Sequence, residues 1–550
     1  MKLRALTVPI VVALGVLGSP ARAGLLTERW VTTPGGTPDG AALGDLDGDG
    51  GLEIAMLVRG GSYSSPGKSP GVGALVVLNQ NGSLRFQVQT GQEMVGYPVF
   101  GDFDGDSFDE VAFCELGEAA YCYAYNGDGT RMFRFGPLWH PAMTNGGPIA
   151  ADVNNDGYDD LIAISSAGEI SAVLGPNGTL AWEYDLYAAY GDYPFGHAAV
   201  DDIDGDGKYE LAIGGTQRGG VYMLNAESGT VQWAVPNLYS QYQNYFYGSG
   251  PTLVNLDNDP ALEVTAAMAG YPGPAAVLAL DSNGTVLWRT TVSSDSLYYT
   301  SPSAADTDGD GKPEVFVQTT GGWLLKLAAS NGSLLQQVSL GANSWASPGF
   351  MDNDYDGRME IVTSTLSTVY LLDYNLTEID RYTNTNSGLY PPPVIGDTDA
   401  NGQLDLVTGA WFPKQVLSIK LPYTSAFSWS TFAGSALHGG AASTSPDSLL
   451  GDDPAPAIVV ILAQVHNLVA QTNGTAQNQL TNARFDLDLA YREYLRGNPH
   501  LSVDRLRQAL VHLQAVPSAS YNTTPIQQRV AWVGIMIFEQ YINRTQALVG

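Results

Sequence analysis

Basic residues are scarce in this sequence. Its 25 Lys and Arg face 56 Asp and Glu, which gives a formal net charge of -31 at pH 7. So large an excess of negative charge repels nucleic acid and anionic membrane surfaces. We therefore expect neither as a partner.

Cysteine is scarcer still. The chain holds 2 of them, Cys114 and Cys122, which flank Gly117, where a hairpin would bring two strands side by side. The spacing allows a disulfide in an oxidising compartment, and two buried thiols are the alternative. An isolated pair does not indicate a metal or catalytic site.

Long apolar segments are missing after the N-terminus. Residues 1–23 have the pattern of a signal peptide, with Lys2 and Arg4 before an apolar stretch and a small-residue cleavage site at residues 21–23. No later segment reaches the roughly 20 apolar residues that cross a bilayer. We expect an exported protein, secreted or at the cell surface, with no membrane span.

The motifs of common catalytic machinery are also missing. The sequence contains no Gly-x-Ser-x-Gly elbow, no His-Glu-x-x-His helix, no phosphate loop and no dinucleotide fingerprint. His140, His197 and His438 fall between predicted strands, where a structural or surface role is the ordinary interpretation. No catalytic residue is predicted, and a binding protein is favoured over an enzyme.

The acidic residues form a regular series of clusters. Asp45-x-Asp47-x-Asp49-Gly50-x-x-Glu53 places carboxylates at loop positions 1, 3, 5 and 9, and the same pattern returns at intervals of 45 to 57 residues. The first four predicted ligand sets are Asp45, Asp47, Asp49, Glu53; Asp102, Asp104, Asp106, Glu110; Asp152, Asn154, Asp156, Asp160; and Asp202, Asp204, Asp206, Glu210. The other four are Asn255, Asp257, Asp259, Glu263; Asp306, Asp308, Asp310, Glu314; Asp352, Asp354, Asp356, Glu360; and Asp397, Asp399, Asn401, Asp405.

This spacing favours calcium. Alternate residues of a tight loop point their oxygens inward, and a set of hard oxygen ligands suits Ca²⁺ better than Mg²⁺, which demands stricter geometry. An EF-hand is excluded because position 12 is apolar or Thr, as at Met56 and Phe113, instead of Glu. We expect up to eight bound calcium ions, with Asn255 and Pro260 marking the weakest loop.

Hairpin signals recur in the same frame. Asn81-Gly82, Asn177-Gly178 and Asn283-Gly284 each precede a strand with an aromatic residue. Each unit thus holds about four short strands, which predicts a mainly β fold, an eight-bladed β-propeller over residues 24–440, with seven blades as the alternative. The segment Gly24 to Trp30 resembles the last strand of a unit, so the N-terminus is expected to help close the ring.

The Asp-x-Asp-x-Asp-Gly-x-x-[Asp/Glu] loops, as at residues 45–53, resemble the FG-GAP/VCBS repeat family, which includes the propeller of integrin α-chains. The resemblance covers Gly24 to about Gly440 and implies calcium held at one face of a propeller, where it makes the blades rigid. Rhamnogalacturonan lyases look similar too. They imply an alternative, a calcium-dependent polysaccharide-active enzyme, although such a site would need basic residues that are scarce here.

The connections between units are rich in aromatic residues, which should gather at the face opposite the calcium loops. Exposed Tyr and Trp offer rigid contact area to sugars and proteins, and packing between blades is the alternative. The predicted ligand-binding residues are Trp139, His140, Tyr190, Tyr193, Tyr242, Tyr245, Tyr298, Trp345 and Tyr390. We expect an adhesion or recognition module for a glycan or an extracellular protein.

Helical spacing replaces the strand pattern near the C-terminus. After a linker at 441–453, residues 454–550 predict a small all-α bundle with helices at 454–471, 476–495, 502–515 and 525–547. Such a bundle would pack its own core, and docking on the propeller or on a surface partner is the alternative.

Overall fold

The computed structural model describes most of the region predicted to be a propeller and part of the C-terminal region. The described residues are 25–49, 51–60, 73–92, 94–106, 108–117, 120–138, 146–238, 249–257, 261–269, 274–292, 295–310, 312–352, 358–385, 388–399, 403–422, 426–429, 441–442, 479–480, 482–483, 487, 490 and 499–515. The predicted signal peptide lies outside them.

Eight antiparallel sheets form an eight-bladed propeller, as predicted. Blade 1 contains β2 (Thr37–Gly44), β3 (Glu53–Arg59), β4 (Ala74–Leu78) and β5 (Leu84–Gln89). Blade 2 contains β6 (Val99–Gly101), β7 (Glu110–Cys114), β8 (Cys122–Tyr125) and β9 (Arg131–Phe135). Blade 3 contains β10 (Ile149–Ala151), β11 (Asp160–Ile164), β12 (Glu169–Leu174) and β13 (Thr179–Asp185). Blade 4 contains β14 (Pro194–Asp201), β15 (Glu210–Gly215), β16 (Val221–Asn225) and β17 (Val231–Val235).

The second half repeats this plan. Blade 5 contains β18 (Thr252–Val254), β19 (Glu263–Met268), β20 (Ala275–Leu280) and β21 (Val286–Val292). Blade 6 contains β22 (Ser303–Ala305), β23 (Glu314–Gln318), β24 (Trp323–Ala328) and β25 (Leu334–Ser339). Blade 7 contains β26 (Gly349–Asp352), β27 (Glu360–Ser364), β28 (Thr368–Leu372) and β29 (Glu378–Thr383). Blade 8 contains β30 (Val394–Gly396), β31 (Asp405–Ala410), β32 (Gln415–Lys420) and β1 (Thr27–Thr32).

Burial follows the position of each strand in its blade. The second strand is buried along its whole length in blades 1 to 8, as in β3, because both faces of the sheet pack against neighbouring blades. The outermost strand alternates between exposed and half-buried residues, as in β5. The acidic loops join the first and second strands at one end of the propeller, which we call the loop face. The connections between blades lie at the opposite end, the linker face.

The N-terminal strand closes the ring, as the sequence predicts. β1 pairs antiparallel with β32 and supplies the outermost strand of blade 8. It is also fixed to blade 7, since Asp380 Oδ2 accepts a hydrogen bond from Leu26 N at 2.7 Å and the Tyr382 hydroxyl donates to Glu28 Oε2 at 2.7 Å. The ring is thus joined by strands from the two ends of the propeller sequence.

In six of the eight blades, an aromatic residue of the outermost strand packs on the hairpin glycine of the next blade. A Cβ at Gly284 would lie 2.8 Å from the Trp233 ring, so only glycine allows this approach. The pairs are Trp30 with Gly82, Phe86 with Gly129, Phe133 with Gly178, Trp182 with Gly229, Trp233 with Gly284 and Trp288 with Gly332. The Asn-Gly and aromatic signals of the sequence therefore mark contacts between blades as well as hairpins.

Two short strands lie inside the ring, against the innermost strands. β33 (Ala426–Trp429) pairs antiparallel with β26 of blade 7, and β34 (Ala441–Ala442) pairs parallel with β18 of blade 5. They run in opposite directions along the axis. The chain after blade 8 therefore enters the central channel, and β34 lies at the start of the predicted linker.

Cys114 and Cys122 face each other on β7 and β8 and form a disulfide. Both side chains are buried. Of the two alternatives left open by the sequence, the structure has the disulfide.

Two helices have defined bounds among the described residues. α1 (Leu186–Tyr190) lies in the connection from blade 3 to blade 4, and α2 (Pro499–Gln514) begins three residues before the predicted helix 502–515. Pro suits the first turn because its missing N–H has no helical partner there. Described residues between 479 and 490 are helical, and His512 Nδ1 lies 2.9 Å from Gln479 Oε1. The predicted helices 454–471 and 525–547 lie outside the described residues.

Within the described ranges, no helix combines the length and the apolar character needed to cross a bilayer.

The contact of Trp288 with the next blade should be important for stability. Trp288 is 7% exposed and its Nε1 donates to Ala329 O at 2.6 Å. Trp288→Ala should lower the free energy of unfolding by about 3–5 kcal/mol, and Trp288→Phe by about 1 kcal/mol through the lost hydrogen bond. Chemical denaturation measures both. Trp323→Ala, at a tryptophan that is 40% exposed, is the control and should change little; equal losses at the two positions would contradict the assignment.

Candidate functional site

The acidic loops hold a buried carboxylate at position 9. This residue begins the second strand of every blade, and its exposure lies between 0% and 6% in all eight blades. The residues are Glu53, Glu110, Asp160, Glu210, Glu263, Glu314, Glu360 and Asp405. Buried carboxylates at the same place in each blade need a partner, since an unpaired buried charge is costly.

Backbone amides supply the first partner. Glu53 Oε2 accepts from Leu46 N at 3.0 Å, and Glu110 Oε2 accepts from Phe103 N at 2.9 Å. Glu210 Oε2 makes the same bond with Ile203 N at 3.1 Å. Position 9 therefore anchors position 2, which shapes the loop around the remaining carboxylates.

A left-handed residue at position 4 turns the loop inward. Gly48, Gly105, Gly205 and Gly309 have φ between 71° and 78°, and Asn155 takes the same conformation with φ 56°. The N–H of Gly48 donates to Asp45 Oδ1 at 2.7 Å, and the other glycines repeat this bond to position 1. The sequence reasoning stressed glycine at position 6 and missed position 4, although glycine is frequent there too.

Four loops bring three carboxylates together. In each of them one oxygen from every residue lies within 4.8 Å of the others. The sets are Asp45, Asp47, Glu53; Asp102, Asp104, Glu110; Asp202, Asp204, Asp206; and Asp306, Asp308, Asp310. Calcium–oxygen distances of about 2.3–2.6 Å place opposite ligands about 4.6–5.2 Å apart. Both the oxygen donors and their separation therefore fit a calcium ion.

The predicted ligand sets of the other four loops are less complete among the described residues. Asp152 and Asp156 accept backbone amides of their own loop, and Asn154 Nδ2 donates to Asp156 Oδ2 at 3.0 Å. Asn255 and Asp257 are described. The predicted ligands Asp259, Asp354, Asp356 and Asn401 and the side chain of Asp352 lie outside the described residues.

A bulge in the outermost strand aims one side chain at the loop of its own blade. Arg85 lies at the β5 bulge, and its Nη1 contacts Asp47 Oδ2 at 2.7 Å and Glu53 Oε1 at 3.4 Å. Gln232 lies at the equivalent bulge in β17 and donates to Glu210 Oε1 at 2.8 Å. In blade 6, Lys326 Nζ lies 3.3 Å from Glu314 Oε2. The loop pattern does not reveal these partners because they lie 12 to 38 residues from the acids that they contact.

Position 8 joins neighbouring blades. Asp109 Oδ2 accepts from Asp45 N at 2.8 Å, and Asp109 N donates to Asp45 O at 3.0 Å. Asp159 makes the same two bonds with Asp102, at 3.0 and 2.9 Å. The first residue of one loop is therefore held by the next blade, so the shape of a loop affects the junction.

Crowding and burial raise the pKa of these carboxyls. Burial raises the pKa of Glu53 and Glu210 to about 7, and burial together with Asp104 raises that of Glu110 to about 8. Burial also raises the pKa of Asp109 to about 6. Without a cation, several of these acids in the folded protein therefore keep their protons up to about the pH of their raised pKa values.

Aromatic rings form a continuous arc at the linker face. The Tyr299 and Trp345 centroids lie 5.4 Å apart, Trp345 and Tyr390 4.9 Å, and Tyr390 and Trp411 4.0 Å with nearly parallel planes. The Arg59 guanidinium lies 5.1 Å from the Trp411 centroid. We call Tyr299, Trp345, Tyr390 and Trp411 the aromatic arc; each is half-buried, and it spans blades 5 to 8.

The other predicted aromatic residues are more dispersed. Tyr190 packs on the buried Tyr222 at 4.9 Å, and Tyr193 lies 6.4 Å from Tyr187. Tyr298 is half-buried, and its amide donates to Thr320 Oγ1 at 3.2 Å. Tyr299 and Trp411 belong to the arc but were not among the predicted ligands. Trp139, His140, Tyr242 and Tyr245 lie outside the described residues.

Comparison with known proteins identifies the repeats. The FG-GAP-like repeat family matches residues 102–163 and 152–213, which cover blades 2 and 3 with their acidic loops and reach into blade 4. The chain therefore contains FG-GAP-like repeats, and its eight blades are consistent with an FG-GAP repeat propeller. No curated protein matches the sequence significantly.

Solved structures share the fold. Sqt1 of Saccharomyces cerevisiae is 11% identical with a TM-score of 0.54, covering 72% of this chain and 100% of its own. The V. cholerae biofilm matrix protein Bap1 is 13% identical with a TM-score of 0.50, covering 72% and 91%. A rhamnogalacturonan lyase of Bacillus licheniformis is 17% identical with a TM-score of 0.38, covering 71% and 72%. The similarities to Sqt1 and Bap1 show the propeller fold and nothing more, and the similarity to the lyase is weaker, with its lower TM-score.

The raised pKa values predict an unusual pH dependence. Because these carboxyls have a higher pKa in the folded than in the unfolded state, the folded protein binds more protons between about pH 5 and pH 8. Stability without calcium should therefore fall as the pH rises through this window, and added calcium should raise Tm more at pH 8 than at pH 5. Differential scanning fluorimetry with and without chelator measures both. A calcium shift that is larger at pH 5 would contradict the prediction.

Proposed function

We propose that this propeller with FG-GAP-like repeats binds calcium in its acidic loops and acts outside the cell as a recognition module. The observation that carries the calcium assignment is the four carboxylate clusters with oxygens within 4.8 Å of one another. Carboxylates so close repel each other strongly in a partly buried loop, and a divalent cation removes this repulsion.

The calcium ions would brace the blades. Every loop joins the first and second strands of its blade, and positions 1 and 8 carry contacts to neighbouring blades through Asp45, Asp109, Asp102 and Asp159. An ion at such a site would stiffen the junction between the blades. Its role here is structural.

The aromatic arc is the proposed recognition surface. Its half-buried rings give a rigid apolar platform. Aromatic platforms with polar tips suit glycans and protein partners. We propose a glycan or an extracellular protein as the ligand of this exported protein.

Recognition is favoured over cleavage of an acidic polysaccharide. A lyase site needs cations to neutralise a uronate and a base to remove a proton. Arg59, the cation at the arc, is engaged with Asp39 at 2.8 Å and with the Trp411 ring. The arc is therefore better suited to an uncharged ligand.

Calcium binding should depend on single loops. Asp204→Asn together with Asp206→Asn should remove one calcium equivalent, because both belong to one cluster, and should lower the calcium-dependent rise in Tm. Elemental analysis after dialysis and fluorimetry measure the two effects. Glu183→Gln, at an exposed residue of β13, is the control and should bind as much as the wild type. A wild type without bound calcium would refute the assignment.

The arc should determine ligand retention. Trp345→Ala and Tyr390→Ala should each reduce binding on a glycan array at least tenfold, since each removes a ring from the middle of the platform. Tyr209→Ala, at an aromatic residue 36% exposed on the loop face, is the control. Tm of each variant separates lost binding from lost folding, and product analysis of the bound glycan separates binding from cleavage. If both arc variants bind the ligand as well as the wild type does, the binding site lies elsewhere on the protein.

A further inference from the structure

The eighth loop already contains a cation from the protein itself. Arg29 Nη2 lies 2.8 Å from Asp399 Oδ2, and Arg29 Nη1 lies 2.7 Å from Asp405 Oδ2. Arg29 Nη1 also donates to Thr398 Oγ1 at 2.5 Å. Asp399 and Asp405 occupy positions 3 and 9, which are ligand positions in the other loops. The guanidinium thus takes the two carboxylates that a metal ion would share.

These contacts are sheltered from solvent. The side chains of Arg29, Asp399 and Asp405 are 14%, 24% and 3% exposed. Ion pairs of this kind are screened less than surface pairs, and breaking one leaves a buried charge without its partner. Among the described residues, the acids of this loop form no carboxylate cluster like those of the four loops described above.

The register of the outermost strands explains why an arginine reaches this place. Arg29 is the bulged residue of β1, because Glu28 pairs with Ile419 and Trp30 with Ser418. The same bulge recurs in every blade and lies beside the loop. Its residues in blades 1 to 7 are Arg85, Met132, Ala181, Gln232, Leu287, Leu335 and Ile379.

The identity of the bulge residue therefore determines whether the acidic loop of the same blade receives a positive charge. Met132 brings no charge to the second loop, and Gln232 brings a neutral donor to the fourth. Arg85 brings one charge to the first loop but uses a single nitrogen, Nη1, for Asp47 and Glu53. Arg29 binds its two acids with two separate nitrogens, which is a stronger arrangement than the single nitrogen of Arg85.

We infer that Arg29 takes the place of a calcium ion in the eighth loop, so that this loop binds no metal. The inference rests on the proposed calcium binding of the other loops. It has a consequence for assembly, because β1 is the strand that closes the ring. At the joint between the two ends of the propeller, Asp399 and Asp405 are then held by a cation of the chain itself, and this contact does not depend on the calcium concentration.

Two kinds of variant test this inference in the full-length protein. Arg29→Met keeps most of the side-chain length and removes the charge. It should bind one calcium equivalent more than the wild type, and its Tm should fall in chelator and recover with calcium. Arg29→Lys, which keeps the charge, should bind no additional calcium. Equal calcium content of Arg29→Met and the wild type would overturn the inference.

The second variant avoids any loss of folding. Asp399→Asn should leave the calcium content of the wild type unchanged, whereas the loop 4 variant should lose one equivalent. Loss of one equivalent from Asp399→Asn would show that the eighth loop binds calcium and would overturn the inference. If the wild type binds no calcium at all, the proposed function fails. The inference about Arg29 is then judged separately, by whether Arg29→Met gains one calcium ion.

Discussion

The repulsion between buried carboxylates dominates the physics of this propeller. Each blade starts its second strand with a buried acid. In blades 1 and 2, two further acids of the loop each place an oxygen within 4.8 Å of it. Backbone amides, such as Leu46 N for Glu53, satisfy part of the hydrogen-bonding capacity but leave the charge. A proton, a protein cation or a metal ion must do the rest. The raised pKa of Glu110, Arg29 beside Asp405 and the clustered acids correspond to these three solutions.

The loops matter for the whole ring because they lie at the joints between blades. Asp109 and Asp159 tie position 1 of one loop to the following blade, on the loop face. Farther out, Trp233 and its aromatic counterparts in five other blades pack on the hairpin glycine of the next blade, and Trp233 Nε1 also donates to the backbone of that blade at Ser282 O. At the junctions of blade 1 with blade 2 and of blade 2 with blade 3, two sets of contacts thus act together, one polar and one aromatic. A change in the charge of a loop is felt between blades and not only within one.

The repeat pattern was sufficient to predict the architecture. Acid clusters with regular spacing and Asn-Gly hairpins predicted eight four-stranded blades, the face that carries the loops and the closing role of the N-terminus, because these features are local in sequence. The register of the outermost strand is not local. The bulge that aims Arg29 at Asp405 joins residues 376 apart, and no spacing rule shows it. The same holds for β33 and β34 inside the ring and for Tyr299 and Trp411 in the aromatic arc, which depend on how distant segments meet.

The two faces of the propeller separate stability from recognition. The loop face carries the acids, so its electrostatics depend on pH and, under the proposed assignment, on calcium. The aromatic arc lies at the linker face, and its rings come from connections that carry no acidic loop. Because each blade spans both faces, an ion that stiffens one end of a blade also limits the movement of the connections at the other. Trp345 and Tyr390 belong to connections before blades 7 and 8, at the opposite end of the propeller from Arg29, which lies in the loop of blade 8. Under the proposed assignment the loop of blade 8 is held by a protein charge, whereas the loops of blades 2 and 4 depend on the ion.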